Sequence, residues 1–363
     1  MFTVDPTSLS VLKSKSIEHL FAEICSFDRI SVVLPDCTRP LPFEKVLPIL
    51  EKVFPNLEHW VVGLGLHRSL TEAERLRFQC LTTKPILEHD PDRCIDIDVV
   101  EGVSIGIFEP LLQTAWTLTV GVMEVHQYAG VSGGYKGVVV GCGSRTSIER
   151  LHRRELVCDD RVVVGAIVGN PFRAEIERLG KNTQCRFGLQ WVPSLKEWWF
   201  GTPEALLAEA QTCIQPWYEV DRLYPGVVLN IPKSKGVSLY QASRAATYLA
   251  LSPNPPLVER ATIVLKASMV EGLGAEKGFV NALKSHKPPW ETCLGKDIPG
   301  AGAQRIWMLA RLANRYRLVL TGVEDPALFH EVGIPVISEL EIKEEWLYLQ
   351  NPFKQIPQYR TVT

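Results

Sequence analysis

Residues 60–74, Trp60-Val61-Val62-Gly63-Leu64-Gly65-Leu66-His67-Arg68-Ser69-Leu70-Thr71-Glu72-Ala73-Glu74, decide the fold class. The β-branched and aromatic run Trp60–Leu64 reads as a strand, and Thr71 followed three residues later by Glu74 is a capping box that opens a charged, amphipathic helix. A strand, a glycine loop and a capped helix form the unit from which α/β layers are built. Working outward, Ile30–Leu34, Val103–Phe108 and Leu118–Val122 repeat the strand signal with helix candidates between them. Two further helix starts follow: Asn170-Pro171, for a helix ending near Gly180, and Thr202-Pro203, with Thr as N-cap and Pro at the first helical position.

At 214–226 the stretch IQPWYEVDRLYPG loses periodicity and gains prolines, and a new series begins beyond it. That series reads as a strand at Val227–Ile231, a helix at Ser238–Leu251, a strand at Thr262–Leu265, a glycine loop at Glu271–Gly274, a helix at Ala303–Tyr316 and a strand at Leu318–Thr321. The expectation is therefore two α/β domains, 1–220 and 221–342, with a cofactor and substrate cleft between them. A tail at 343–363, rich in Trp, Tyr, Phe and Pro, is expected to pack back on the first domain. A length of 363 residues agrees with two domains, at about 150 residues each.

Composition removes several classes of function. Lys plus Arg total 39 against 41 Asp plus Glu, a formal charge of -2, so no global basic field exists to collect nucleic acid. The nine cysteines are scattered and include no C-x-x-C pair, which argues against a disulfide framework or a zinc ribbon. The N-terminal stretch MFTVDPTSLSVLKSKS lacks the apolar core of a signal peptide, and the longest apolar run, Val162–Gly169, is too short to span a membrane. The reading is a soluble, reduced, cytoplasmic protein without nucleic-acid or membrane partners.

Three polar clusters could carry chemistry. Asp36-Cys37-Thr38-Arg39-Pro40 follows the first strand, where ligands gather in open α/β sheets. Arg39 offers a planar fork for a carboxylate or phosphate, with an Asp turn cap and a surface Arg as the alternative. In Gly63-Leu64-Gly65-Leu66-His67 the glycines permit close backbone approach to a ligand, while the third glycine of a dinucleotide fingerprint is missing. His67 there reads either as a site residue or as a structural histidine. The third cluster is His126-Gln127-Tyr128-Ala129-Gly130-Val131-Ser132-Gly133-Gly134-Tyr135-Lys136. Gly137 after Lys136 excludes a P-loop; Lys136 is then either a nucleophile towards a carbonyl or thiocarbonyl, or a loop-capping lysine. By itself His152, in the charged run ERLHRRE, reads as part of a solvated helix face.

Taken together and in order, D-x-T-R-P, G-x-H-R, H-x(9)-K with Ser-Gly-Gly before the lysine, and a further His sixteen residues on, as 152 minus 136, resemble the lactate racemase family. The likeness continues in Leu239-Tyr240-Gln241 and Glu271-Gly272-Leu273-Gly274, so it spans roughly Ser31 to Phe279. The resemblance implies a D/L 2-hydroxy acid racemase or epimerase that uses a nickel-pincer nucleotide, a pyridinium mononucleotide bearing two sulfurs. Lys136 would link covalently to that cofactor, in a cofactor-binding group with Asp36, Thr38, Ser132, Gly133 and Gly134. His152 would ligate nickel, and His67 and His126 would form the acid/base pair. Arg39, Tyr240, Gln241 and Arg244 would bind the substrate, and the enzymes of cofactor biosynthesis would be partners.

The implied reaction is reversible hydride transfer from C2 of the 2-hydroxy acid, which avoids forming a carbanion beside a carboxylate. Two histidines of near-neutral pKa serve the hydroxyl proton of the two enantiomers. Three departures from the family pattern stand out. Arg244 replaces a usual lysine, Ile231-Pro232-Lys233-Ser234-Lys235-Gly236 lacks an expected acid, and the chain is shorter than is usual. Two competing readings are a Schiff-base lysine enzyme without nickel and a non-catalytic nucleotide or 2-hydroxy acid binding protein.

Overall fold

A computed structural model describes residues 10–21, 28–37, 39–298 and 302–360. The chain divides into two compact units, Met1–His152 with Gly165–Ile214, and Arg153–Val164 with Gln215–Thr363. The division falls at Ile214/Gln215 rather than after 220, and the segment 153–164 belongs with the second unit.

In the first unit the strands are β1 (Leu12–Ser14), β2 (Ile30–Pro35), β3 (Leu57–Gly63), β4 (Ile86–Glu88), β5 (Cys94–Val100) and β6 (Val103–Phe108). They continue as β7 (Trp116–Val122), β8 (Val125–His126), β9 (Gly130–Val131), β10 (Cys185–Val192) and β11 (Glu197–Gly201). A seven-stranded sheet has the order β1-β11-β10-β7-β2-β3-β4. Its five strands from β10 to β4 are parallel, and β11 and β1 close one edge in antiparallel fashion. The alternation of β-branched runs with helices produces this parallel core, whose strands are apolar on both faces. Val103–Phe108, read correctly as a strand, pairs instead with β5 in a separate antiparallel hairpin.

The helices of this unit are α1 (Ile17–Leu20), α2 (Phe43–Val53), α3 (Glu72–Gln79), α4 (Lys136–Val139) and α5 (Arg145–Leu151). After α6 (Arg154–Val157), which lies in the second unit, come α7 (Pro171–Gly180) and α8 (Pro203–Cys213). Thr71 and Glu74 make the reciprocal capping box, and Asn170 and Thr202 accept from the Arg173 and Ala205 amides as N-caps. One sheet face packs on an aromatic chain, Phe21–Phe54–Trp116–Phe187, with edge-to-face ring contacts at 5.4–5.8 Å. A second cluster seats Leu206, Leu207 and Ala210 of α8 against Met123, Val131 and Trp199.

Two histidines packed around the sheet contribute to a coupling of this unit's stability to pH. His59 lies 2.8 Å from the Ser31 hydroxyl through Nε2, and His89 donates from Nε2 to the Gly143 carbonyl at 3.0 Å. Burial is the main cause that holds both pKa values below the ordinary 6.5. A lowered histidine pKa means that the unfolded chain binds more protons once the pH drops below about 6.5, so stability falls with pH from there. The urea midpoint of the protein is expected to be lower at pH 5.5 than at pH 7.5, and His89→Gln should flatten the difference. An equal or higher midpoint at pH 5.5 would contradict the assignment.

The second unit holds β12 (Trp217–Val220), β13 (Tyr224–Asn230), β14 (Leu257–Lys266), β15 (Arg317–Thr321), β16 (Leu347–Leu349) and β17 (Ile356–Tyr359). Its helices are α9 (Leu239–Ala250), α10 (Lys277–Ser285), α11 (Gln304–Ala313) and α12 (Pro326–Glu331). A four-stranded parallel sheet runs β15-β14-β13-β16, and β12 pairs with β17. The described part of the segment 343–363 supplies strands to the second unit. β16 completes the second sheet and β17 pairs with a strand of the same unit, because backbone ladders offered partners there. Gly226 shows how close the packing is: a Cβ on it would lie 2.5 Å from the Trp346 ring. Among the described residues no helix is long and apolar enough to cross a membrane.

Candidate active site

The site residues of the first unit follow one rule of placement. Arg39, His67 and His126 each stand four residues past a strand end, at Pro35, Gly63 and Val122 respectively. The strands concerned, β2, β3 and β7, are neighbours in the sheet and parallel, so the three candidate groups emerge from one edge. Ligands gather at this carboxyl edge of open α/β sheets because the loops there are free to carry polar groups.

In the first loop the Arg39 amide donates to the Asp36 carbonyl at 3.2 Å, forming a turn, and the Arg39 Nε stands 4.0 Å from the Asp36 carboxylate. The Arg39 side chain is partly exposed and Asp36 mostly covered. Thr38 lies outside the described residues. In the second loop the glycines bring backbone to backbone. A Cβ on Gly63 would meet Gly141 at 3.3 Å, and the Gly65 amide, at φ 58°, donates to the Gly141 carbonyl at 2.9 Å. Gly141 directly follows the turn begun by Lys136, so this contact draws the exposed His67 towards the lysine.

The third loop carries His126 into the β8–β9 hairpin, opposite Gly130. His126 Nδ1 accepts from the Tyr128 and Ala129 amides at 3.3 and 3.2 Å, so the neutral ring carries its proton on Nε2. Ser132 is engaged in the hairpin: its hydroxyl donates to the Val122 carbonyl at 2.6 Å and accepts from the Glu124 amide at 2.9 Å. A Cβ on Gly133 would strike Met123 at 2.5 Å, and one on Gly134 would strike Leu207 at 2.9 Å; both have positive φ. The Ser132 hydroxyl and the two glycines thus shape the loop, and contact with a nucleotide from here would fall to its backbone.

Lys136 opens α4 and is half-buried. His152 is the C-cap of α5, with Nδ1 2.8 Å from the Ile148 carbonyl. Its ring packs edge-on to Tyr128 and Phe172 at 5.9 and 5.4 Å, which removes it from the solvated helix face that the charged run suggested. Burial pushes its pKa down to about 4 against the hydrogen bond to Ile148, and the charges of Lys136 and His67 add to the fall. The ring is therefore neutral at pH 7, with Nδ1–H donating and the Nε2 lone pair available, the tautomer a metal ligand requires. Among the described residues no group of three or more His, Cys, Asp or Glu could hold a metal ion. The donor set fits a metal that takes one imidazole from the chain and its other ligands from a bound group.

Tyr240, Gln241 and Arg244 belong to α9 of the second unit. They are the three positions of that helix that are not buried, at i, i+1 and i+4 on one face. Arg244 Nη1 donates to the Gln241 side-chain oxygen at 3.1 Å. The loop Glu271–Gly274 caps this helix start: the Leu239 and Tyr240 amides donate to the Gly272 and Leu273 carbonyls at 2.8 and 3.1 Å. Burial raises the Tyr240 pKa, so the phenol stays protonated.

Residues 8–165 match the family described as the lactate racemase N-terminal domain. The chain is similar to the lactate racemase family, whose N-terminal domain model it matches over that stretch. It is 22% identical to a lactate racemase of Lactiplantibacillus plantarum over 89% of this chain and 80% of that protein. With a lactate racemase of Thermoanaerobacterium thermosaccharolyticum it shares 23% identity over 45% of this chain and 41% of that one. The structure of the lactate racemase apoprotein from the latter organism superposes with a TM-score of 0.81 at 17% identity, covering 95% of this chain and 89% of that one. A Thermotoga maritima protein superposes with a TM-score of 0.70 at 15% identity, covering 94% and 96%.

Sequence reasoning missed the residues behind the site. Arg173, Glu177 and Gly180 lie on one face of α7, in line with its N-cap Asn170, and Tyr128 and Phe172 wedge His152. The available signal was the 3-4-3 spacing of polar and small residues after an N-cap, which a surface Arg–Glu pair at i,i+4 imitates.

Proposed function

We propose that this isomerase is a racemase or epimerase of 2-hydroxy acids, short aliphatic ones above all, acting with a nickel-pincer nucleotide linked through Lys136. The observation that carries the reading is that Arg39, His67 and His126 leave the same sheet edge, with the loop of His67 tied to the turn of Lys136 by the Gly65–Gly141 hydrogen bond. When bound, the nucleotide supplies a hydride-accepting centre to which His152 Nε2 would contribute a ligand. Asp36 and Thr38 would hold the first loop and the nucleotide.

The chain's own residues then divide the work. Arg39 holds the substrate carboxylate by a charge-assisted fork, and Arg244, Gln241 and Tyr240 are substrate-binding residues in the same reading. His67 accepts the hydroxyl proton of one enantiomer at its ring nitrogen and His126 serves the other, each returning it when the reaction reverses. His126, whose Nδ1 accepts two backbone amides, begins as the proton donor through Nε2.

The decisive experiment is racemisation of an enantiopure 2-hydroxy acid deuterated at C2, with protein produced beside the cofactor biosynthesis enzymes. Label retained in the inverted product supports the reading, and rapid washout to solvent defeats it. Indifference of turnover to His152→Ala would favour a Schiff-base lysine instead. Arg39→Ala is expected to lower kcat/KM about ten- to a hundredfold, the worth of one charge-assisted hydrogen bond. Most of the loss should appear in KM; an unchanged kcat/KM would remove Arg39 from substrate binding.

A further inference from the structure

We propose that Arg173 is a positioning residue for the reaction, acting through the loop that joins His126 to Lys136; this rests on the function proposed above. The helix α7 turns one face to that loop, with Asn170, Arg173, Glu177 and Gly180 spaced by three, four and three residues. Arg173 is 1% exposed and gathers three alternate carbonyls of the loop. Its Nε donates to Ala129 at 3.0 Å, its Nη1 to Gly133 at 3.2 Å and its Nη2 to Val131. Asn170 extends the series, donating from Nδ2 to the Tyr128 carbonyl at 2.8 Å and accepting the Arg173 amide at 3.1 Å. At the other end Gly180 leaves room for Tyr135, the residue before Lys136: a Cβ there would lie 2.1 Å from that ring. The whole stretch from His126 to Lys136 is thus fastened to one helix.

The chemistry of the side chain explains why arginine stands here. A buried cation is costly unless it is paired and its donors are used, and an apolar residue would fill a core at least as well. Glu177 supplies the counter-charge at 3.1 Å from Nη1, and the carbonyls take three more of the five N–H groups. Only a planar fan of five donors reaches three carbonyls at alternate positions; an ammonium is a point that serves fewer. The arrangement holds the separation of an acid/base group and a nucleophile to within the tolerance that turnover needs.

Arg173→Lys keeps the charge beside Glu177 and loses the fan; Arg173→Met/Glu177→Gln removes both partners and serves if the single variant does not fold. Two readouts are taken on the full chain. In the cofactor-free protein, trace acylation by an N-hydroxysuccinimide ester, read by peptide mass, should label Lys136 at least about threefold faster while Lys284 and Lys296 of the second unit keep their rates. In the loaded enzyme kcat should fall about tenfold or more with KM changed by less than about threefold. Parent rates for Lys136 labelling and kcat would overturn the proposal. So would a uniform acceleration of all three lysines, which would make Arg173 a residue of the fold alone. If the loaded parent does not racemise its substrate, the function fails, and the labelling still decides the role of Arg173.

Discussion

Lys136→Ala is expected to reduce racemisation by about a thousandfold or more while leaving the protein folded. The side chain is half-buried at the first position of a short helix, and the turn around it is held by other residues. Tyr135 donates its phenol proton to Glu204 at 2.8 Å, and Val138 and Val139 are buried, so truncation at 136 removes chemistry and little packing. Lys136→Arg sharpens the result, because a guanidinium keeps the charge and cannot act as the nucleophile. Intact mass should show the cofactor increment on the parent and on neither variant, with melting temperatures within a few degrees of each other. Should Lys136→Arg retain more than about a tenth of parental activity, the covalent link would lose its place in the mechanism.

Gly130→Ala is expected to cost about 3–5 kcal/mol, among the largest effects of any single methyl group in the chain. Gly130 adopts φ 71° and a Cβ on it would lie 1.8 Å from the Ala166 carbonyl oxygen, in a contact closed by the Gly165 amide donating to the Gly130 carbonyl at 2.8 Å. Both partners are backbone, so no side chain can move aside. Gly102 supplies the control: it has φ 78° with nothing within 4 Å of its added Cβ. Gly102→Ala should therefore cost only the left-handed strain, about 1–2 kcal/mol. Urea denaturation of the two variants separates strain from collision, and equal costs would show that the loop yields. Because Gly130 pairs with His126 across the hairpin, the collision should also be felt at the site.

Much of this was legible in the chain. The strands Ile30–Leu34 and Leu118–Val122, the box at Thr71 and Glu74 and the caps at Asn170 and Thr202 all depend on neighbours within a few residues, and all are found. The second unit read equally well: the helix expected at Ser238–Leu251 is found at Leu239–Ala250, and the strand expected at Leu318–Thr321 at Arg317–Thr321. Val103–Phe108 was a strand by local preference, yet its partner is chosen by register with Cys94–Val100, which no window of a few residues contains. The division of the chain escaped for the same reason: 153–164 leaves the first unit and 165 returns to it, a matter of long-range packing.

Within the candidate site, the sequence by itself determined which groups are proposed and in what order, because the ordered set that includes His67, His126, Lys136 and His152 carries the resemblance to lactate racemases. Only the tertiary structure decided which nitrogen of His126 and His152 carries the proton, since that depends on backbone atoms at Tyr128, Ala129 and Ile148. It also decided what the glycines are for. Gly63 and Gly130 approach other backbone, at Gly141 and Ala166. And it turned Arg173, indistinguishable in the chain from a solvated helix charge, into the buried hub of the loop, because burial is a property of what packs around a residue and not of the residue itself.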